Sequence, residues 1–427
     1  TLSKTYRILR TMLTRRQFGI LSGGLLSSSL VLPRRALARP VSASDRKFIF
    51  IFNDGGWDTG HVFTPYWDVL DAMVEEAAQP GYANGIDFVD HPGRPTVRQF
   101  FEQWGSQTAV LNGMEVQSIT HERCRELVLT VQGQLTDDWA TLLAAKTSND
   151  LLLPHVILDG PAFTSQFTSN VVRIGDSDQL PDLLTGHSVL RSDLETMVLP
   201  NQAETEADAF VAARAQAMGG NFGHAYSQAL SKIQALQSWD NVDLAVEDAG
   251  CERNIANDCG LAFDLFSRGL SRCAMLSYKG WCEEGWDTHQ GLELQNKNFD
   301  SLFGYLNDAM ADLQTRTSNT GNALADEVTI VVFSEMGREP RLNGWDGRDH
   351  WTFTSAMLIG SGIRGGQVIG GLDENGQGRR IDLATGEFSD SGSIILPEHL
   401  GATLLTLGDV DPTEFIDESI LLQALMS

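Results

Sequence analysis

The sequence predicts an α/β fold: a mostly parallel central sheet in a three-layer sandwich, with helices on both faces. Two patterns carry that expectation. Short apolar runs of strand length alternate with stretches of helical period. Several of those runs end in polar residues, the layout by which parallel sheets assemble sites at their carboxyl edge.

The first run is Lys47–Phe52, nearly continuous in apolar residues and followed by Asn53, Asp54, Gly55 and Gly56. It reads as a central strand buried on both faces. Ala109–Gly113 reads as a second strand, and a helix is expected from Thr120, with Glu122 in its first turn. His155–Leu158 and Val171–Ile174 are shorter strand candidates. Residues Glu204–Trp239, rich in Ala, Gln and Leu at helical spacing, predict one or two long surface helices. Asp240–Asp258 is polar and reads as a loop, Leu261–Leu270 as a helix, and Ala274–Tyr278 as a strand. Phe299, Leu302, Phe303, Leu306, Met310 and Leu313 share one face of an amphipathic helix. Val328–Phe333 and Ala356–Ile359 are further strands. Pro397–Leu407 is a late helix with Pro397 near its first position.

The chain has 427 residues, of which 42% are hydrophobic, enough for one large domain. No apolar run reaches the roughly 18 residues of a membrane span. A net charge of −25 argues against nucleic acid or anionic lipid as a partner. The first 38 residues differ from the rest, with seven Lys/Arg and no Asp/Glu. Thr14–Phe18 holds a twin-arginine pattern, a weakly apolar stretch runs from Gly19 to Leu32, and Ala36–Leu37–Ala38 is a cleavage-type triplet. Residues 1–38 therefore read as a Tat export signal and 39–427 as one domain. The export machinery is then a partner, and the destination is the periplasm or the exterior. Five cysteines occur without any CxxC pair, which disfavours a zinc ribbon. In an oxidising compartment Cys251 could pair with Cys259, and Cys273 with Cys282, leaving Cys124 buried on a helix.

Asp54, Thr120–His121, Asp287–Thr288–His289 and Glu335 each follow an apolar run, and Asp349–His350 lie in a later loop. Asp, Glu and His gathered without Cys suit a hard or borderline divalent ion. Zinc is the first choice, with calcium and manganese as alternatives. Each member alone has a plainer reading: Asp54 a turn residue, Thr120 an N-cap, Glu335 a partner of Arg338. Trp57, Trp286, Trp345 and Trp351 flank the motifs and would either pack the core or line a ligand cleft.

The twin-arginine segment, the first strand ending in Gly55–Gly56, the run Gly285–His289, then Ser334–Arg338 and Asp349–His350 together resemble a known group. It is an uncharacterised family of exported bacterial proteins within the alkaline phosphatase–sulfatase superfamily. That resemblance implies an alkaline-phosphatase-like sandwich and a metal site. It implies metal binding by Asp54, Asp287, His289, Glu335 and His350, and a nucleophile at Thr120. Two departures limit it. Glu335–Met336 stands where two-zinc members have Asp-His, so one ligand of a second ion is missing, with His121 or Asp349 as replacements. The Cys-x-Pro-x-Arg sulfatase signature is also absent, which disfavours formylglycine chemistry.

The expected function is an exported metal-dependent hydrolase of phosphate or sulfate esters. Thr120, His121 and Arg338 would act in catalysis, Arg338 and Arg348 would recognise the anion, and Asp349 would orient His350 or bind metal. The partner is a small anionic ester or an envelope polymer. The alternative is a non-catalytic exported protein that binds a carbohydrate or an envelope partner through the same edge.

Overall fold

The computed structural model describes residues 42–131, 136–147, 151–174, 201–220, 223, 227, 253–416 and 420–427. The expected export signal, Cys251, and most of the stretch from 219 to 252 lie outside them.

β1 (Lys47–Phe52) is buried at every position, as its unbroken apolar run requires. β2 (Gln79–Ala83) and β3 (Ile86–Asp90) form a separate hairpin. The remaining strands of the main sheet are β4 (Thr108–Glu115), β5 (His155–Ile157), β6 (Val171–Arg173), β7 (Cys273–Ser277) and β8 (Val328–Phe333). A two-residue pair, β9 (Gly337–Arg338) and β10 (His350–Trp351), precedes β11 (Phe353–Gly360) and β12 (Gln367–Gly370). The sheet order is β12-β4-β11-β8-β1-β7-β5-β6.

β1 runs parallel to β7 and β8, β5 to β6 and β7, and β12 to β4. Only β11 is antiparallel to its neighbours β4 and β8. The carboxyl ends of β1, β4, β7 and β8 therefore share one edge with the start of β11. That is where the sequence placed its polar residues.

The two faces of β1 go to different cores. Ile49 and Ile51 pack with the helices Pro95–Trp104, Ile255–Ser267 and Glu293–Leu313. Phe48, Phe50 and Phe52 pack with His121–Leu129, Trp139–Ala145 and Pro397–Leu407. The mostly parallel sheet with helices on both faces is borne out, and the three layers follow directly from alternation along one strand.

Several local expectations are corrected. The helix read as starting at Leu261 starts at Ile255, because the Asn254 side chain caps it by accepting from the Ala256 and Asn257 N–H groups. Ile255, Cys259, Ala262, Phe263 and Phe266 are its buried stripe, which the neighbouring polar residues hid in the sequence. Cys259 and Cys273 are free and buried while Cys282 is disulfide-bonded, so neither expected pairing holds. Cys124 is buried on its helix as expected. Trp57 and Trp286 do not line a cleft. They are fully buried against Phe63 and Phe299, with ring centroids 4.7 Å and 4.9 Å apart.

Phe299 sits at the centre of that aromatic group, touching Trp57, His61, Phe63, Trp286 and Phe303. Phe299→Ala should lower stability by about 3–5 kcal/mol. Urea unfolding followed by tryptophan fluorescence measures this, since Trp57 and Trp286 report the same core.

Candidate metal centre

The site begins where β1 and β8 end. Phe52 is paired with Phe333, so the residues after each strand continue side by side. Gly55 has φ +123°, a backbone geometry that L side chains rarely adopt, and a Cβ there would stand 2.6 Å from the Asp287 amide nitrogen. This turn brings the Gly55 and Gly56 N–H groups onto Glu335. The Glu335 carboxylate is wholly buried and accepts from Gly55 N at 2.9 Å, Gly56 N at 3.3 Å and Ser334 Oγ at 2.9 Å. Its fourth partner is His121 Nδ1, at 2.7 Å.

His121 opens the helix that follows β4, with Thr120 as N-cap. Its Nε2 is buried, has no hydrogen-bond partner among the described residues, and stands 3.4 Å from Asp287 Oδ2. His350 reaches the same carboxylate from β10. Its Nδ1 faces the Ile119 carbonyl at 2.8 Å, and its Nε2 lies 3.0 Å from Asp287 Oδ1. His289 arrives from the loop after β7. Its Nδ1 faces Asp349 Oδ1 at 2.8 Å, and its Nε2 lies 3.1 Å from both Asp287 Oδ1 and His350 Nε2.

All three rings share one arrangement. Each Nδ1 meets an acceptor, so in the neutral ring the proton sits on Nδ1 and the Nε2 lone pair points toward Asp287. Three such nitrogens around one carboxylate form a donor set that could hold a cation, and the Arg338 guanidinium already contacts it, donating to Asp287 Oδ1 at 2.7 Å. His289 Nε2, His350 Nε2 and Asp287 Oδ1 are 3.0–3.1 Å apart. Ligands held at about 2.0–2.1 Å around a tetrahedral zinc are separated by about 3.3 Å, so the donor set fits such an ion. His121, Asp287 and His350 form one group of possible ligands, and Asp54, His121 and Glu335 form another. In the second group the Glu335 oxygens are already occupied by the hydrogen bonds above, and Asp54 is held by Arg125 at 2.7 Å and 3.0 Å.

The other expected residues fall into place around this centre. Arg338 is buried. It donates to Asp287 Oδ1 at 2.7 Å, to the Gly56 and Trp286 carbonyls at 2.8 Å and 3.1 Å, and to Gly55 O. Its guanidinium joins the ends of β1 and the Asp287 loop. Arg348 is also buried, on Asp58 at 2.6 Å and over the Tyr66 ring. Thr120 is exposed, its hydroxyl 3.3 Å from Ser118 Oγ and not capping its own helix. Asp349 accepts from Asn343 and His289. Met336 fills a small apolar cluster with Val116, Cys124 and Leu127, so the position of the missing ligand is a packing position. Sequence reasoning missed Asn343, visible only as a turn former, and the Ile119 carbonyl, which no side-chain pattern reports.

The charges follow from these contacts. Burial pushes Asp287 up, but the hydrogen bond and positive charge of Arg338, with His350 and His121 close by, outweigh it and hold the carboxyl well below the usual range. Burial, then the Glu335 carboxylate, raises Asp54 against the pull of Arg125. The hydrogen bond to Glu335 raises His121 above its ordinary 6.5 despite burial. A raised folded value means that charged His121 stabilises the metal-free protein below pH 6.5, and that this is lost as pH rises through the folded value. NMR titration of metal-free protein should place His121 above 6.5, and Glu335→Gln should bring it down.

Three solved structures are similar to this chain at low identity. One is the lipoteichoic acid synthase LtaP from Listeria monocytogenes, 9% identical, TM-score 0.40, covering 90% of this chain and 77% of that one. A protein in the alkaline phosphatase superfamily from Vibrio parahaemolyticus is 12% identical, TM-score 0.39, covering 88% and 69%. The C-terminal periplasmic domain of EcEptC from Escherichia coli, solved in complex with zinc, is 7% identical, TM-score 0.37, covering 88% and 87%. No curated protein matches the chain. Residues 159–384, more than half of the sequence, match the family described as "Protein of unknown function (DUF1501)", and the chain belongs to that family.

Proposed function

We propose that this chain is a metal-dependent hydrolase of phosphate or related sulfate esters. A zinc ion would be held by His121, Asp287, His289 and His350. The observation that carries this reading is the common orientation of the three imidazoles. Glu335, Asp349 and the Ile119 carbonyl hold every Nδ1, leaving every Nε2 for one shared cation beside Asp287. A nitrogen-rich set favours zinc over calcium or manganese, which prefer oxygen. The bound ion would supply positive charge to the transferred group and lower the pKa of a hydroxyl or water.

The protein's own residues would do the rest. Glu335 and Asp349, rather than binding the ion, would orient His121 and His289. Arg338 would hold Asp287 ionised and in place. Thr120 presents a hydroxyl that its helix does not use, and that helix N-terminus directs N–H groups toward an anion there. Thr120 would be the nucleophile, with a water at the same position as the other route.

The same reading takes residues 1–38 as a Tat signal and 39–427 as the working domain, placed in the periplasm or outside the cell. The bonded Cys282 supports an oxidising compartment. A second reading, a non-catalytic carbohydrate or envelope binder, is favoured by Trp345. It is 68% exposed, on a loop whose backbone joins Gly291 near His289.

The two readings separate in one set of measurements on purified protein. The first expects about one zinc per chain and hydrolysis of phosphomonoester, phosphodiester or sulfate-ester substrates. The double variant Asp287→Ala with His350→Ala should lose the metal, and retention of the metal would sink the ligand assignment. Thr120→Ala should reduce turnover by about a hundredfold or more if its hydroxyl attacks, and leave it unchanged if water does.

A further inference from the structure

Asn343 lies in the turn between β9 and β10 and makes every hydrogen bond an amide side chain can make. Its Nδ2 donates to the His289 carbonyl at 2.9 Å and to Asp349 Oδ1 at 2.9 Å. Its Oδ1 accepts from the Trp345 and Gly347 N–H groups at 2.9 Å and 3.2 Å. The backbone closes the turn, Asn343 N donating to Gly347 O at 2.8 Å.

Two of these bonds are local and two are not. The accepted pair shapes the turn. The donated pair crosses to a different loop, the one that follows β7. Asp349 Oδ1 is the same atom that faces His289 Nδ1 at 2.8 Å, so Asn343 grips His289 by its carbonyl and, through Asp349, by its ring. The two loops touch closely enough that a Cβ on Gly347 would stand 2.2 Å from the His289 carbonyl oxygen. Asp349 is half exposed, and among the described residues its side chain takes hydrogen bonds from Asn343 and His289, so its rotamer is set by an amide whose own position is fully determined.

We infer that Asn343 is a positioning residue. By fixing Asp349 it locks His289 as the Nδ1–H tautomer and turns Nε2 toward Asp287 and His350. The inference rests on the reading of His289 as a metal ligand, and gives a role to a residue that touches neither metal nor substrate. An aspartate at this position would keep both accepted bonds and the turn. It would replace both donated bonds by repulsion against the His289 carbonyl and the Asp349 carboxylate.

Asn343→Asp is therefore the test, with Asn343→Ala beside it. Three quantities are read: zinc affinity by chelator competition, the His289 tautomer by nitrogen-15 NMR of metal-free protein, and the thermal midpoint of metal-free protein. Asn343→Asp is expected to weaken zinc binding by about 10–100-fold and to shift His289 away from the Nδ1–H form, with little change in thermal midpoint. An unchanged tautomer with zinc affinity within about twofold of the parent would overturn the inference. Should the parent protein bind no zinc, the ligand reading fails by itself, and the tautomer comparison still decides what Asn343 does. Should Asn343→Ala fail to fold, Asn343→Asp, which retains the turn, decides alone.

Discussion

The buried Glu335 carboxylate is the joint on which the site depends. It stands between the ends of the two central strands with no exposure to water, and it is ionisable. A charge there is tolerable only when surrounded by donors. The donors are the two N–H groups of the Gly55–Gly56 turn, the neighbouring Ser334 hydroxyl and His121. One interaction therefore closes the end of the sheet, requires the left-handed turn after β1, and aims an imidazole. Arg338 works from the other side of that turn, carrying the Gly55 and Gly56 carbonyls and Asp287 on one guanidinium. The donors and acceptors of a single glycine pair thus fix Glu335, Arg338 and, through Arg338, Asp287 together.

The chemistry follows from the division of labour among the acids. Asp287 is half exposed and faces three imidazole nitrogens as well as Arg338, whereas Glu335 takes donors on both oxygens and Asp349 takes Asn343 and His289 on Oδ1. Residues of one chemical type thereby do different work, set by whether their lone pairs remain available. The proposal of a single ion with a nitrogen-rich set rests on this division. Met336, next to Glu335, packs among Val116, Cys124 and Leu127.

Much of the fold was legible because the central strands are buried on both faces, and such strands read as unbroken apolar runs. Val328–Phe333 and Lys47–Phe52 are the plainest cases, and the helix Pro397–Leu407 was marked by its proline. The hairpin at Gln79–Asp90 carries no such run, and the early start at Ile255 depended on a cap among polar neighbours. At the site, residue types were legible and roles were not. Glu335 and Asp349 are expected as ligands because sequence shows a carboxylate but not the donors directed onto it, His121 on Glu335 and Asn343 and His289 on Asp349. Arg338 and Arg348 looked free for an anion because sequence does not show that both are buried among carbonyls and acids. Asn343 gave no signal beyond that of a turn.

The most direct measurement is anomalous diffraction at the zinc edge from crystals of the zinc-loaded protein. One peak is expected, about 2.0–2.2 Å from Nε2 of His121, His289 and His350 and from an Asp287 oxygen, with Glu335 and Asp349 outside the coordination sphere. A peak bound through Glu335, or three histidines with no ion between them, would contradict the account.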